Sequence, residues 1–103
     1  MELCDLPAYH LSRLVHNHKV TATEILEDTL KRIALVDGRP GRLDDAEAWP
    51  DDSTKVHAFI TLTEDIARRQ AQEIDRKLAD GEDPGPLAGV PFTVKDIFCV
   101  EDT

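Results

Sequence analysis

The 103-residue sequence has little positive charge, few aromatic side chains and no long hydrophobic run. Its 12 lysines and arginines are outnumbered by 21 acidic residues, which gives a formal net charge of −9. Because proteins hold phosphate backbones through clustered basic side chains, this balance argues against direct nucleic-acid binding. Aromatic residues make up only 5%, so the core has to come from leucine, isoleucine, valine and alanine. No apolar run approaches the roughly 18 residues that cross a bilayer.

Cysteine is also scarce, and the two present, Cys4 and Cys99, lack the spacing of a metal site. We expect both to be reduced thiols in a cytoplasmic protein. Cys99 follows Lys95 by four residues, but no histidine stands near it, so we interpret it as a small buried residue and not as a nucleophile. His16 and His18 lie on a predicted helix, where residues two apart do not face the same side, so they do not indicate a metal site.

Three amphipathic segments predict helices. Apolar residues recur at helical spacing over residues 7–18. The stretch "TATE", residues 21–24, has the form of a capping box and opens an apolar stripe that ends before Gly38. Thr63 would cap a third helix, whose narrow stripe of small and aliphatic residues continues to Gly81.

Two apolar runs predict strands. Residues 57–63, "HAFITLT", suit a strand buried on both faces, and residues 90–98 form a second run. The helix between them is long enough for a right-handed crossover within one sheet. Residues 37–55, with two glycines, two prolines and six acidic residues, are interpreted as a surface loop. Since two strands alone make no stable sheet, we predict the start of a larger α/β domain, helices followed by strand–helix–strand.

Lys95 lies near the end of the most apolar extended run, "GPLAGVPFTVKDIF", residues 85–98. Side chains alternate along a strand, so Thr93, Lys95 and Ile97 would share one face while Asp96 points away. Burial can lower the pKa of a lysine by roughly 3 to 5 units and produce a general base. A lysine near a strand end more commonly extends its ammonium group into water, and the residues alone favour this second role.

The same run resembles the segment around the catalytic lysine of the amidase signature family, typically Pro-Leu-x-Gly-Ile/Val-Pro-x-x-Val/Ile-Lys-Asp. The matching residues are Pro86, Leu87, Gly89, Val90, Pro91, Val94, Lys95 and Asp96. Upstream, "TATEILEDTLKRI" and "HAFITLTEDIARRQAQEID" are similar to the family's N-terminal helices and first strand. The resemblance covers nearly the whole chain apart from residues 37–55, which look like a surface insertion.

The resemblance implies a Ser-cisSer-Lys hydrolase. In such an enzyme a neutral Lys95 takes a proton through a bridging serine, and a nucleophilic serine attacks an amide carbonyl to form an acyl-enzyme. Lys95 is therefore the one catalytic residue predicted here. The two serines present, Ser12 and Ser53, both precede the lysine and lack Gly-Ser-rich surroundings. We expect the serines of the triad in a missing C-terminal remainder, and no activity from residues 1–103 alone.

Within the family, "AFITLTE" is most similar to the glutamine-hydrolysing subunits of tRNA-dependent amidotransferases. This likeness implies a heterotrimer in which ammonia passes to the B subunit. That subunit activates Glu-tRNA(Gln) with ATP and magnesium, while the C subunit wraps the pair. No cofactor or metal is expected in this chain, and tRNA contact falls mainly to the partner. The insertion at 37–55, and His57 in place of a small polar residue, leave a stand-alone amidase open. A non-catalytic partner-binding module is the third possibility.

Overall fold

The computed structural model describes residues 2–38, 54–95 and 99. Their helices are a 3-10 helix at Leu3–Asp5, followed by α1 (Ala8–His16), α2 (Ala22–Val36) and α3 (Glu64–Ala79). α2 packs against both α3 and the 3-10 helix. The three helices predicted from apolar periodicity are therefore confirmed.

Two aliphatic clusters hold these elements together. The first joins α1 and α2 to the segment that precedes Lys95, through the buried residues Leu11, Val15, Ile25 and Ala88. The second joins α2 to α3, through Ala22, Leu26 and Ala71. In the described part of the chain neither buried cluster contains an aromatic residue, as the composition predicts. The core is therefore built from side chains of small and medium size.

The N-terminus of α2 is capped twice. Thr21 Oγ accepts a hydrogen bond from the Glu24 N–H at 3.0 Å, which confirms the predicted cap. The carboxylate of Asp75, on α3, accepts bonds from the Ala22 N–H at 2.7 Å and the Thr23 N–H at 3.2 Å, and from the Thr23 hydroxyl at 2.6 Å. The first-turn N–H groups of a helix lack partners within the helix, so this carboxylate both satisfies them and complements the helix dipole. Asp75 thereby fixes α3 to α2.

The C-terminus of α1 has a strained residue. His18 adopts a φ of 57°, in the left-handed region that glycine prefers. Its N–H donates to the carbonyl of Val15 at 3.1 Å, and the N–H of Lys19 donates to that of Leu14 at 2.9 Å. These two bonds satisfy carbonyls of the last turn in the manner of a Schellman motif. The motif forms although its left-handed position carries a side chain.

The C-terminus of α2 holds the segment that follows the predicted loop. The buried carboxylate of Asp37 accepts bonds from the N–H groups of Ala58 and Phe59, and its carbonyl accepts one from the His57 N–H at 3.0 Å. The two ends of the predicted loop at 37–55 therefore lie together. Residues 39–53 of that loop lie outside the described residues.

The predicted strand–helix–strand arrangement is not confirmed. Residues 57–63 and 90–95 form no strand in the part of the chain that the structure describes, and residues 96–98 lie outside it. A strand exists through its hydrogen-bonded ladder with a neighbour, and two isolated strands seldom form one. The first segment instead gives backbone N–H groups to Asp37. The described fold is helical.

Replacing His18 with glycine should stabilise the chain. Glycine adopts the left-handed conformation without strain, so the free energy of unfolding should rise by about 0.5 to 1 kcal/mol, after allowance for the extra freedom of glycine when unfolded. Urea denaturation followed by far-UV circular dichroism measures the change. The exposed His10, inside α1, is the matched control, because glycine there should cost about 1 kcal/mol. A loss of stability in both variants would contradict the strain at His18.

Replacing Asp75 with asparagine should loosen α3 from α2. Asparagine keeps the size of the side chain but has one acceptor oxygen and no charge, so we expect a loss of about 1 to 2 kcal/mol of unfolding free energy in the same assay. Asp80→Asn is the control, since it removes only the half-exposed ion pair with Arg76 and should cost about 0.5 kcal/mol or less. Equal losses in the two variants would show that the interhelical cap contributes nothing special.

Candidate active site

The segment that leads to Lys95 is a pair of turns packed on α1. The Ala88 N–H donates to the Gly85 carbonyl at 3.4 Å, and the Val90 N–H donates to the Leu87 carbonyl at 3.1 Å. The side chain of Ala88 is 5% exposed and belongs to the first aliphatic cluster. These turns bring the apolar run of the lysine segment against the core before it reaches the lysine.

Gly89 sits at the closest approach between the turns and α1. Its φ is 82°, and a Cβ atom built on it would lie 2.7 Å from Cγ2 of Val15, which is fully buried. Carbon atoms this close repel strongly, and a left-handed φ disfavours a side chain independently. Both constraints require glycine here, which gives a physical reason for the glycine of the lysine motif.

Ser12 makes the polar contact between α1 and these turns. Its side chain is buried, at 7% exposure, and its hydroxyl donates a hydrogen bond to the carbonyl oxygen of Pro86. Nδ1 of His16 lies 3.4 Å from the same hydroxyl and 2.8 Å from the Ser12 carbonyl oxygen. Sequence reasoning placed Ser12 on a helix but missed this contact, because the two partners are 74 residues apart.

Lys95 lies at the rim of an open groove of about 1210 Å³. The groove is bounded by α2 and α3 and by residues 58–63 and 87–95. Lys95 itself is exposed, and so are the neighbouring Phe92 (83%) and Val94 (46%). The described structure therefore leaves the lysine in contact with water, beside apolar side chains that are not yet buried.

The remaining candidates lie away from this groove or are not positioned for chemistry. Cys99 lines the groove but is exposed, so its interpretation as a buried residue is wrong. The burial was inferred from a strand that the described residues do not form. His16 and His18 are both exposed. Ser53 lies outside the described residues.

One group of potential metal ligands occurs in the described part of the chain. The ligand atoms of Glu2, Cys4 and Asp28 all lie within 4.8 Å of one another. Asp28 accepts a hydrogen bond from the Cys4 N–H at 2.9 Å, so its carboxylate already has a structural task. Burial, with a further contribution from the Asp28 carboxylate, raises the pKa of the Cys4 thiol. The raised pKa favours the neutral thiol over the thiolate that binds metals.

No helix in the described residues combines the length and the apolar character needed to cross a membrane.

The sequence profile of the family described as Amidase matches residues 51–103, just over half of the chain and a stretch that contains Lys95 and its turns. The chain therefore belongs to the amidase family. The resemblance identified from the lysine segment is confirmed at this level.

The curated relatives are similar to the chain over nearly its whole length, and each is the A subunit of a glutamyl-tRNA(Gln) amidotransferase. The chain is 37% identical to the protein of this name from Desulforudis audaxviator, with 97% of the chain covered. It is 34% identical to that of Carboxydothermus hydrogenoformans over 93% of the chain, and 35% identical to that of Cutibacterium acnes over 97%. The chain spans only 16 to 17% of the length of these three relatives. No solved structure matches it.

Replacing Gly89 with alanine should destabilise the fold at the lysine segment. The new methyl group meets Val15 and strains the backbone, so we expect a loss of about 3 kcal/mol of unfolding free energy. Gly81→Ala is the matched control: its φ is 79°, but no atom lies within 4 Å of the added methyl group. The control should therefore show only the backbone cost of about 1 kcal/mol.

A double variant isolates the contact. Val15→Ala removes the methyl group that Gly89→Ala strikes, so the double variant should be less destabilised than the two single losses added together. Urea denaturation of all four proteins measures this coupling. Strict additivity, or equal effects at Gly89 and Gly81, would refute the proposed clash.

Proposed function

We propose that the chain is the N-terminal part of a glutamine-hydrolysing amidase subunit that supplies ammonia for the conversion of Glu-tRNA(Gln) to Gln-tRNA(Gln). The observation that carries this proposal is the 34 to 37% identity to A subunits of glutamyl-tRNA(Gln) amidotransferases over 93 to 97% of the chain. The match to the amidase family, which includes the lysine segment, supports it. Because the chain spans about a sixth of those relatives, the activity is that of the longer protein, and residues 1–103 alone are inactive.

Lys95 is the base of this chemistry. It draws a proton through a bridging serine, and a second serine attacks the carboxamide carbon of glutamine. The tetrahedral intermediate collapses to an acyl-enzyme, and the nitrogen leaves as ammonia once it has been protonated. Water then hydrolyses the acyl-enzyme to glutamate and restores the serine. Both serines belong to the remainder of the protein, because Ser12 has its hydroxyl buried against Pro86.

The groove beside Lys95 is the face on which the rest of the α/β domain packs. Ile60 (58% exposed), Leu87 (69%) and Phe92 (83%) all line the groove, and side chains of this size are normally buried in a finished domain. In the complete protein residues 57–63 and 90–98 become strands, because only then do neighbouring strands complete their ladders. Residues 37–55 form a surface insertion. Its ends lie together at Asp37, so its length costs the fold little.

The partners of this chain in the heterotrimer are the B subunit, which uses ATP and magnesium to activate Glu-tRNA(Gln), and the C subunit. The relatives are named as one subunit of an amidotransferase, which supports an assembly of this kind. The net charge of −9 is consistent with tRNA contact through the partner, since phosphates repel an acidic surface. No cofactor is proposed for this chain, and the assembly is cytoplasmic.

Lys95→Ala in the full-length protein should lower the release of ammonia from glutamine by about a thousandfold, because a positioned base contributes about 10² to 10⁴ to the rate. The measurement is a glutaminase assay with and without the B and C subunits. Lys31→Ala, an exposed lysine on α2, is the control and should leave the rate unchanged. The 103-residue chain alone should release no ammonia.

Three other outcomes would redirect the proposal. Full activity of the Lys95→Ala protein would exclude the lysine as the base. Partner-independent turnover of simple amides, without glutaminase activity, would indicate a stand-alone amidase. An inactive wild-type protein that binds a partner equally well with or without Lys95 would indicate a non-catalytic module.

A further inference from the structure

We propose that Ser12 is a positioning residue for Lys95, acting through its hydrogen bond to the carbonyl of Pro86. This inference rests on the proposed function of Lys95 as a base. It assigns to a helix near the N-terminus a direct task in the geometry of a site that otherwise consists of the lysine segment and the remainder of the protein.

The contact is a built one. Ser12 is 7% exposed on the buried side of α1, and its hydroxyl gives its hydrogen to the Pro86 carbonyl oxygen. A hydrogen bond loses strength steeply when its angle changes, so it fixes direction in a way that apolar contact does not. The neighbouring contact of Gly89 with Val15 sets how closely the turns approach α1. Ser12 adds the polar constraint that prevents the turns from sliding along the helix.

The anchored part of the segment ends shortly before the lysine. Val90 is half-buried and packs against the first aliphatic cluster, whereas residues 92–95 are exposed. Lys95 is five residues beyond Val90, a span of at most about 17 Å when fully extended. The turns held by Ser12 are thus the last fixed point from which the chain is aimed toward Lys95. A displacement there carries over to the lysine, and an error of about 1 Å in the placement of a catalytic group can cost about a hundredfold in rate.

The kinetic test uses the full-length protein with glutamine as substrate. Ser12→Ala should lower kcat about tenfold with KM unchanged, because the binding pocket is intact while the base is misplaced. Ser12→Thr, which keeps the hydroxyl, should recover most of the activity. The matched control is Thr29→Val, which removes a hydroxyl bonded to the Ile25 carbonyl at 2.8 Å within α2, away from the turns. It should change kcat less than twofold, since it does not touch the turns.

A physical test does not depend on activity. Hydrogen exchange of the Ser12→Ala protein should increase at least about fivefold, equivalent to about 1 kcal/mol, in the peptide that covers residues 86–95. Exchange in α2 and α3 should match that of the wild type. Unchanged exchange in residues 86–95, or an equal increase throughout the chain, would overturn the positioning role and leave at most a general effect on stability.

A double variant separates this inference from the function on which it rests. If Ser12 acts through Lys95, Ser12→Ala should cause no further loss in a Lys95→Ala protein, whether or not residual activity is measurable above background. A Lys95→Ala protein with full activity would refute the proposed base. A strongly impaired Lys95→Ala protein together with a Ser12→Ala protein that behaves like Thr29→Val, in both kinetics and exchange, would refute only the positioning role.

Discussion

The place of the lysine segment depends on how closely a backbone can approach a helix. Val15 has no surface exposed to water, and Gly89 lies against it at a distance that leaves no room for a Cβ atom. This contact brings Ala88 into the cluster that also contains Leu11 and Ile25, so a single glycine couples the lysine segment to both N-terminal helices. Interiors pack at nearly crystalline density, and a change of one methyl group at such a point has to be absorbed elsewhere.

Aspartate side chains provide much of the polar framework around that contact. Asp75 holds α3 to the start of α2, Asp37 holds residues 58 and 59 to its end, and Asp28 accepts the backbone N–H of Cys4. Each carboxylate satisfies N–H groups of another element, which would otherwise be left without partners in the interior. Part of the acidic excess is therefore structural, although from the composition alone it indicates only that the chain avoids nucleic-acid backbones.

These aspartates also show how far local reasoning reaches. The helices and the Thr21 cap could be predicted, because their signals lie within a few residues along the chain. Asp75 could not, since it acts on groups more than 50 residues away and resembles the other 20 acidic residues in sequence. The glycine of the lysine motif could be recognised from the family resemblance. Its physical reason, a methyl group on α1, appears only in the packed structure.

The strands were predicted from a pattern that is physically sound but incomplete. Alternating and continuous apolar residues indicate burial, yet a strand also needs a neighbour to complete its ladder. The described chain supplies none, and spans about a sixth of the length of its relatives. The apolar side chains of residues 57–63 and 90–95 are consequently left around an open groove, with Ile60 and Phe92 mostly exposed.

The same geometry bears on the role of Lys95. If residues 90–98 form a strand, Phe92 and Val94 lie on one face and Thr93 and Lys95 on the other, because side chains alternate. Burying the exposed apolar pair therefore does not by itself remove the lysine from water. A neutral lysine base requires cover on the second face as well, since burial is what disfavours the ammonium form. The catalytic role thus demands a segment that lies buried on both faces, as in a central strand of a sheet with both sides covered. An edge position would instead leave Lys95 as a solvated ammonium.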